Sequence, residues 1–475
     1  MLPRLPLSRT RFLLAGVSLF IIKFFLDHQV ARHGFGRSWS PIDYLIPTQS
    51  FTLFSLPASD QTFFATMTLV ALPFALIGLV LTLRRLRDAG LSPFLVLLFF
   101  VPVANLLFFL TLSLLPTAPL TPPHPSAVIP HSSPPLSYAT DNPSPHQILL
   151  SRLFSGSLLT SSLIPVPFAL LFLYAGSDLL GNYGWGLFIG LPFVTGLAAA
   201  ILHGYRSPRT LVQCLTAASL SQAFIFLAFL FTGLEGAVCI LMATPLLFPL
   251  ALLGAALGYA IQQRPLRPIG LSNVLFALPL ALPFLLGAES AFPLYAPTYQ
   301  VTTSLEIDAP PEAVWPHVVT FPPLPTPTEW PFRLGIAYPK TATIIGAGPG
   351  AIRYCTFSTG SFVEPITTWN APHLLAFDVT RNPSPLTEWS PYSSIHPPHL
   401  DNFLTARHGQ FQLTPLPNGH TLLQGTTWYQ HHLWPAAYWR LWSDPLIHHI
   451  HQQVLSHIKR TTEADKNPFV PIPPA

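Results

Sequence analysis

Charge is what this sequence has least of. Of its 475 residues only 9% are Asp, Glu, Lys or Arg, where an ordinary soluble domain carries roughly 25%. So few charges cannot coat a globule of this length, and a 50% hydrophobic content with mean hydropathy +0.46 excludes a disordered chain as well. The scarcity points to a membrane, with the lipid bilayer as the first partner. The 23 Lys+Arg and 19 Asp+Glu leave a formal net charge of +4, spread too thinly for the basic stripe that a nucleic-acid binder needs. Cysteine is also sparse: Cys214 and Cys239 lie in apolar stretches and Cys355 stands alone, with no CxxC spacing. That argues against a disulfide framework or a zinc–thiolate site. No cofactor is implied either. The GAGPG run at Gly346 to Gly350 lacks the Lys-Ser/Thr of a phosphate loop and leads into a strand, so it reads as a β-turn.

What the sequence has in abundance is long apolar runs. They lie at Phe12 to Leu26, Phe63 to Leu83 and Pro93 to Leu115, then at Leu158 to Tyr174, Trp185 to Leu202, Leu215 to Thr232, Ala237 to Ala260 and Leu271 to Leu286. Most approach the ~20 residues that a helix needs to cross a bilayer, which gives about three spans followed by about five. Arg4, Arg9 and Arg11 flank the first run as in a signal peptide, but Lys23 interrupts it and no small-residue cleavage site follows, so it reads as a retained helix. Between the two groups, Pro116 to Gln147 holds ten prolines and one charged residue, Asp141, the composition of an extended linker. The expected organisation is a membrane module over 1–115, a linker over 116–150, a second membrane module over 151–290, a polar domain over 300–460 and a tail over 461–475. Counting Lys and Arg in loops places the C-terminal domain on either side, depending on whether Pro93 to Leu115 spans or re-enters. In the second module no intramembrane acid pair marks a transporter, and Glu235 falls between two spans, in a turn.

Arg84, Arg85 and Arg87 follow the second run directly. Clustered arginines there stop translocation and are candidates to contact anionic headgroups. Together with Ser8, Arg9 and Phe12, the run Arg84, Arg85, Leu86, Arg87, Asp88 resembles a small bacterial membrane domain of unknown function with an Arg-Arg-Leu-His-Asp element, Arg87 standing where that family has His. The resemblance covers about residues 4–115 and implies a bacterial plasma-membrane protein, without an activity.

From about residue 300 the periodicity changes. Val301, Thr303, Leu305 and Ile307 alternate as on a half-buried strand, Asp308 is placed to cap a short helix reaching about Val319, and strands are expected at Thr341 to Ile345, Ala351 to Thr359, Ser361 to Thr368, Leu374 to Thr380, Gly409 to Thr414 and His420 to Tyr429. A helix with Ile447, Ile450, Val454 and Ile458 on one face closes the domain. The motif IDAPPEAVW at Ile307 to Trp315, followed by this element order, resembles the START-like or SRPBCC superfamily of polyketide cyclase/dehydrase and lipid-transport domains. The resemblance implies an α+β helix-grip fold, a curved antiparallel sheet around a long C-terminal helix, with an apolar cavity for a hydrophobic small molecule. It implies no shared catalytic residue.

The cavity candidates are Trp315, Trp330, Arg353, Phe357, Phe362, Glu364, Ile366, Trp369, Phe377, Asp378, Trp428, Trp439 and Trp442. Each aromatic is equally an ordinary core residue, and Glu364 and Asp378 are general acid–base groups or surface acids according to which strand face points inward. The long connection Asn382 to His399 is a candidate lid, with Trp389, His396 and His399 on it. Asp444, His448 and His451, at helical spacing, are a weak metal candidate beside the simpler reading of a cap and two packed imidazoles. These features favour a membrane-anchored protein that binds or transports a hydrophobic ligand, lipid or polyketide-like. The alternatives are a cyclase- or hydrolase-like enzyme working through polar cavity residues, and a structural or sensory anchor.

Overall fold

The fold is read from a computed structural model, which describes residues 7–44, 58–100, 104–117, 156–263, 281–291, 296–392 and 395–466. Most of the proline-rich segment, the greater part of the run Leu271 to Leu286 and the end of the tail lie outside the described residues. Contacts divide the chain into two compact units. One comprises Met1–Leu173, Trp185–Ala228 and Pro245–Ala288, and the other Tyr174–Gly184, Phe229–Thr244 and Glu289–Ala475.

The first unit is helical. Among the described residues, five helices are long and apolar enough to cross a membrane: Gln61–Asp88 and Gly186–His203, wholly in this unit, and Leu158–Leu179, Leu211–Thr232 and Ala237–Gln262, each of which has one end in the second unit. Arg9–Gln29 is a further helix of 21 residues, opened by Ser8, whose hydroxyl accepts from the Arg11 N–H. The run from Pro93 is described in two parts. One is a 3-10 helix over Pro93–Phe100 and the other a short α-helix over Ala104–Leu114. Gly186–His203 is almost wholly buried, and it meets the last long helix through glycine. A Cβ on Gly196 would lie 2.0 Å from the Ala251 carbonyl oxygen, and one on Gly254 2.1 Å from that of Phe193. Without a hydrophobic force between helices in lipid, this close backbone approach is how they hold together.

The second unit is built on seven antiparallel strands: β1 Thr298–Ile307, β2 Pro339–Ile345, β3 Ile352–Phe357, β4 Gly360–Asn370, β5 Leu374–Asp378, β6 Leu404–Pro415 and β7 Thr421–His431. Their order is β1-β7-β6-β5-β4-β3-β2, so the first strand closes against the last. The helix Ala436–Lys466 lies on the inner face. This is the sheet-and-closing-helix order of a helix-grip fold. Alternation puts Val301, Thr303 and Ile307 of β1 inside, with Arg353, Cys355 and Phe357 of β3, Leu375 and Phe377 of β5, and Leu423 and Tyr429 of β7. They pack against Val454, Leu455 and Ile458 of the closing helix and Val314 and Val318 of the short helix Pro311–Val319.

Two local expectations change. The N-cap position of the short helix is held by Pro310, whose side chain makes no capping hydrogen bond, and not by Asp308; Asp308 faces His420 Nε2 at 3.1 Å. Asp444 is no cap either, because the closing helix begins eight residues earlier and runs through Pro445.

Candidate functional site

Arg353 of β3 and Glu364 of β4 are directly opposed in the sheet register and both point inward. Arg353 is 1% and Glu364 5% exposed, and the guanidinium donates through Nη1 to the carboxylate. Three rings surround the cation, with the centroids of Phe321, Phe377 and Phe411 at 5.6, 5.5 and 5.5 Å. Burial pushes the Glu364 carboxyl above its ordinary range, against the opposing pull of Arg353. Arg353 Nε has no hydrogen-bond partner. The pair is a polar knot inside an apolar interior, with both charges committed to each other.

The other cavity candidates divide by face. Phe357, Phe362, Ile366 and Phe377 belong to the interior cluster. Trp369 joins them because the bulge between Ile366 and Thr368 shifts the phase of β4; it meets the Trp315 ring edge-on at 5.7 Å. Trp439 is buried and Trp442 half-buried on the closing helix. Trp330 is exposed. Trp428 shares the outer face of β7 with Gln424 and Gln430, and Asp378 lies on the outer face of β5, holding His408 Nδ1 at 2.7 Å. Asp378 and Trp428 therefore do not line the interior.

Asp444, His448 and His451 do not converge on a common point. Asp444 accepts from the Tyr429 hydroxyl and, at 2.8 Å, from Arg440 Nε. His448 and His451 share Thr303 Oγ1 at 2.8 and 3.1 Å, and His451 Nε2 also meets Thr427 Oγ1 at 2.8 Å. Burial lowers His451 to about 4, so the ring is held neutral. Tyr429, Ser443 and His431 continue this polar strip, with Ser443 Oγ 2.8 Å from both Tyr429 Oη and His431 Nε2.

A recess of about 600 Å³ opens elsewhere, lined by Gly181, Val379, Thr380, Arg381, Asn382, Asn402, Phe403, Thr405, Arg407 and His432. None of the candidate tryptophans borders it. Its charged side chains are Arg381 and Arg407, and no Asp or Glu is among its lining residues. Arg407 Nε donates to Gln430 Oε1 at 2.9 Å, while Asn382 is spent on the backbone of Ala406. Thr405, which also lines it, has its Oγ1 turned away from solvent and without a hydrogen-bond partner. Burial, reinforced by Arg407, lowers His432 and favours the neutral ring.

The expected lid is stitched down. Thr387 N–H donates to Gly335 O and Ala337 N–H to Pro385 O, both within 2.9 Å. Glu388 accepts from the N–H groups of Val238 and Cys239 at 3.0 and 3.1 Å. Trp389 is exposed but its carbonyl accepts from Ala237 N–H at 2.8 Å. His396 pairs with Asp401 at the surface. His399, by contrast, is buried in a 3-10 turn over Pro398–Leu400, where its Nε2 lies 2.8 Å from Cys239 Sγ and its Nδ1 3.5 Å from Glu235 Oε2. These three are the Cys, His and acidic side chains among the described residues whose donor atoms gather within 4.8 Å of one another.

In the helical unit, Arg84 and Arg87 are exposed but Arg85 is fully buried. Its Nε donates to Leu112 O at 3.0 Å and its Nη1 to Leu7 O at 3.2 Å. Arg85 ties segments of the unit together and is not placed to meet headgroups.

Residues 6–122 match the model of a family described as protein of unknown function (DUF805). No curated protein matches. Among solved structures, the chain is similar to a norcoclaurine synthase point mutant from Thalictrum flavum in complex with a transition-state analogue (15% identity, 37% of this chain, 99% of that chain, TM-score 0.25). It is also similar to the Zhui aromatase/cyclase of Streptomyces sp. R1128 (10%, 37%, 100%, TM-score 0.26), and to the protein XoxI of Bacillus cereus (15%, 35%, 98%, TM-score 0.24).

Proposed function

We propose that the protein is a membrane-anchored receptor or carrier for an amphiphile with an anionic head, carboxylate or phosphate, bound by the unit that holds the seven-stranded sheet. The observation that carries this is the recess of about 600 Å³ lined by two arginines and no acid. Its volume falls in the ~300–1,000 Å³ of small-molecule sites. Phe403 and Val379 supply apolar surface for the body of the ligand. Five helices able to cross a membrane keep such a site near the bilayer from which an amphiphile partitions.

An enzymatic reading draws less support. Glu364 is tied to Arg353, and Asp378 to His408 on the outer face, so neither carboxylate is presented to a substrate. The test is native mass spectrometry of the full chain released from membranes in mild detergent. Wild type retains a lipid-sized adduct bearing an acidic group, and an Arg381→Glu/Arg407→Glu variant that unfolds at the wild-type temperature loses it. A bare wild-type chain that also fails to take up added oleate or phosphatidic acid overturns the proposal.

A further inference from the structure

The cluster at His399 has no part in that recess, and its chemistry is of another kind. Glu235 lies in the turn between two apolar helices, Cys239 in the first turn of the helix Ala237–Gln262, and His399 some 160 positions further along the chain. All three belong to the same compact unit. We propose that Glu235, Cys239 and His399 bind a divalent metal ion of the zinc type, through Oε2, Sγ and an imidazole nitrogen.

Three independent features converge on a cation. The first is the donor set: a thiol, an imidazole and a carboxylate together select a borderline-soft ion such as Zn²⁺ over Mg²⁺ or Ca²⁺. Their donor atoms already lie within 4.8 Å of one another. Zinc bonds of about 2.3 Å to sulfur and 2.0 Å to nitrogen at the tetrahedral angle set the two ligands about 3.5 Å apart. The 2.8 Å between Cys239 Sγ and His399 Nε2 therefore opens by less than an ångström on binding.

The second is the charge balance. Glu235 is buried, and the charged groups acting on it, Glu388 and Asp178, are both acidic. A buried carboxylate beside further acids is stable only with a proton or a cation. His399 is buried against Cys239, and a neutral imidazole is the form that serves as a ligand. Its Nδ1 makes no hydrogen bond.

The third is the surrounding frame. Tyr183 donates to Glu235 Oε1 at 3.1 Å, which leaves Oε2 on the His399 side. The Tyr183 ring stands edge-on to the imidazole at 5.0 Å and orients it. Glu388 fixes the helix turn carrying Cys239 by accepting two of its N–H groups. Such outer contacts are what hold metal ligands in place. Three protein ligands leave a fourth tetrahedral position for water or a small substrate, as in catalytic zinc sites.

The experiment uses the full chain purified in detergent through a tag without histidines. Zinc is measured by mass spectrometry of the protein and, after exchange, Co²⁺ by absorption. The expected result is about one metal per chain and a near-ultraviolet sulfur-to-cobalt band. Cys239→Ser abolishes the band, His399→Gln and Glu235→Gln weaken metal retention at least tenfold, and His396→Gln leaves it unchanged. If the ligand variants fold poorly, the melting temperature of wild type decides: Zn²⁺ raises it, Mg²⁺ at the same concentration does not, and His396→Gln shows the same rise. A folded wild type that takes up neither zinc nor cobalt at micromolar concentrations overturns the proposal and leaves a thiol–imidazole contact. Ligand variants that retain the metal overturn it equally.

Discussion

Replacing Arg353 by Met leaves the Glu364 carboxylate buried without its counter-ion. Removing one partner of a buried ion pair costs about 3–5 kcal/mol, whereas replacing both by apolar side chains of similar volume is often neutral or stabilising by about 1–4 kcal/mol. Arg353→Met is therefore expected to lower stability by that first amount, and Arg353→Met/Glu364→Leu to recover all of it or more. For a folding unit of this size, 1 kcal/mol corresponds to roughly 2–4 °C in melting temperature, so the single variant melts some 6–20 °C below wild type. Eight of the ten tryptophans, from Trp315 to Trp442, lie in the unit that holds the pair. Tryptophan fluorescence during thermal or urea unfolding of the full chain in detergent reports on that unit. The pH dependence sharpens the test. Burial raises Glu364 in the folded state, and without Arg353 it rises further, so the contribution of the protonated acid is fully present below its unfolded value near 4.3 and is lost as pH rises. The gap between wild type and Arg353→Met narrows towards pH 4. A double variant as unstable as the single one, or a single variant within 1 kcal/mol of wild type, refutes the reasoning.

Gly409→Ala places a Cβ 2.5 Å from the Phe377 ring; overpacking of that kind costs about 1–3 kcal/mol, measurable by the same unfolding curves. Burial holds His399 and His451 down to about 4 and His431 to about 3. Their contribution to stability is complete above the unfolded value near 6.5 and is lost as pH falls through the folded values, so the melting temperature drops steeply between pH 6.5 and 4. His451→Gln flattens that slope. Arg85→Ala removes the donors that hold the Leu7 and Leu112 carbonyls, and gel filtration in detergent is expected to show its helical unit aggregating, while Arg84→Ala, at an exposed position, behaves as wild type.

Strands of the second unit are legible where buried side chains recur at every second position, as they do along β3 and β5 and over most of β1. The burial of Val301, Thr303 and Ile307 follows directly from the period-2 pattern. Sequence spacing does not reveal which face is inward. Glu364 and Asp378 looked equivalent until register set one opposite Arg353 and the other beside His408. The start of β6 is not legible, because a bulge between Ala406 and His408 breaks the alternation. The recess was illegible for another reason: Gly181, Arg381 and His432 come from distant segments and share no motif. The cluster of Glu235, Cys239 and His399 had faint signals, a lone acid between two apolar runs and a cysteine four residues on. The third member lies some 160 residues away, and only folding brings it there.

The most direct measurement is equilibrium binding of labelled oleate to the full chain in nanodiscs, set beside uncharged oleyl alcohol, which has the same chain and no anionic head. The account predicts that oleate binds saturably and at least tenfold more tightly, and that Arg381→Glu/Arg407→Glu removes the difference. Equal binding of the acid and the alcohol, or a preference untouched by reversing both arginines, contradicts it.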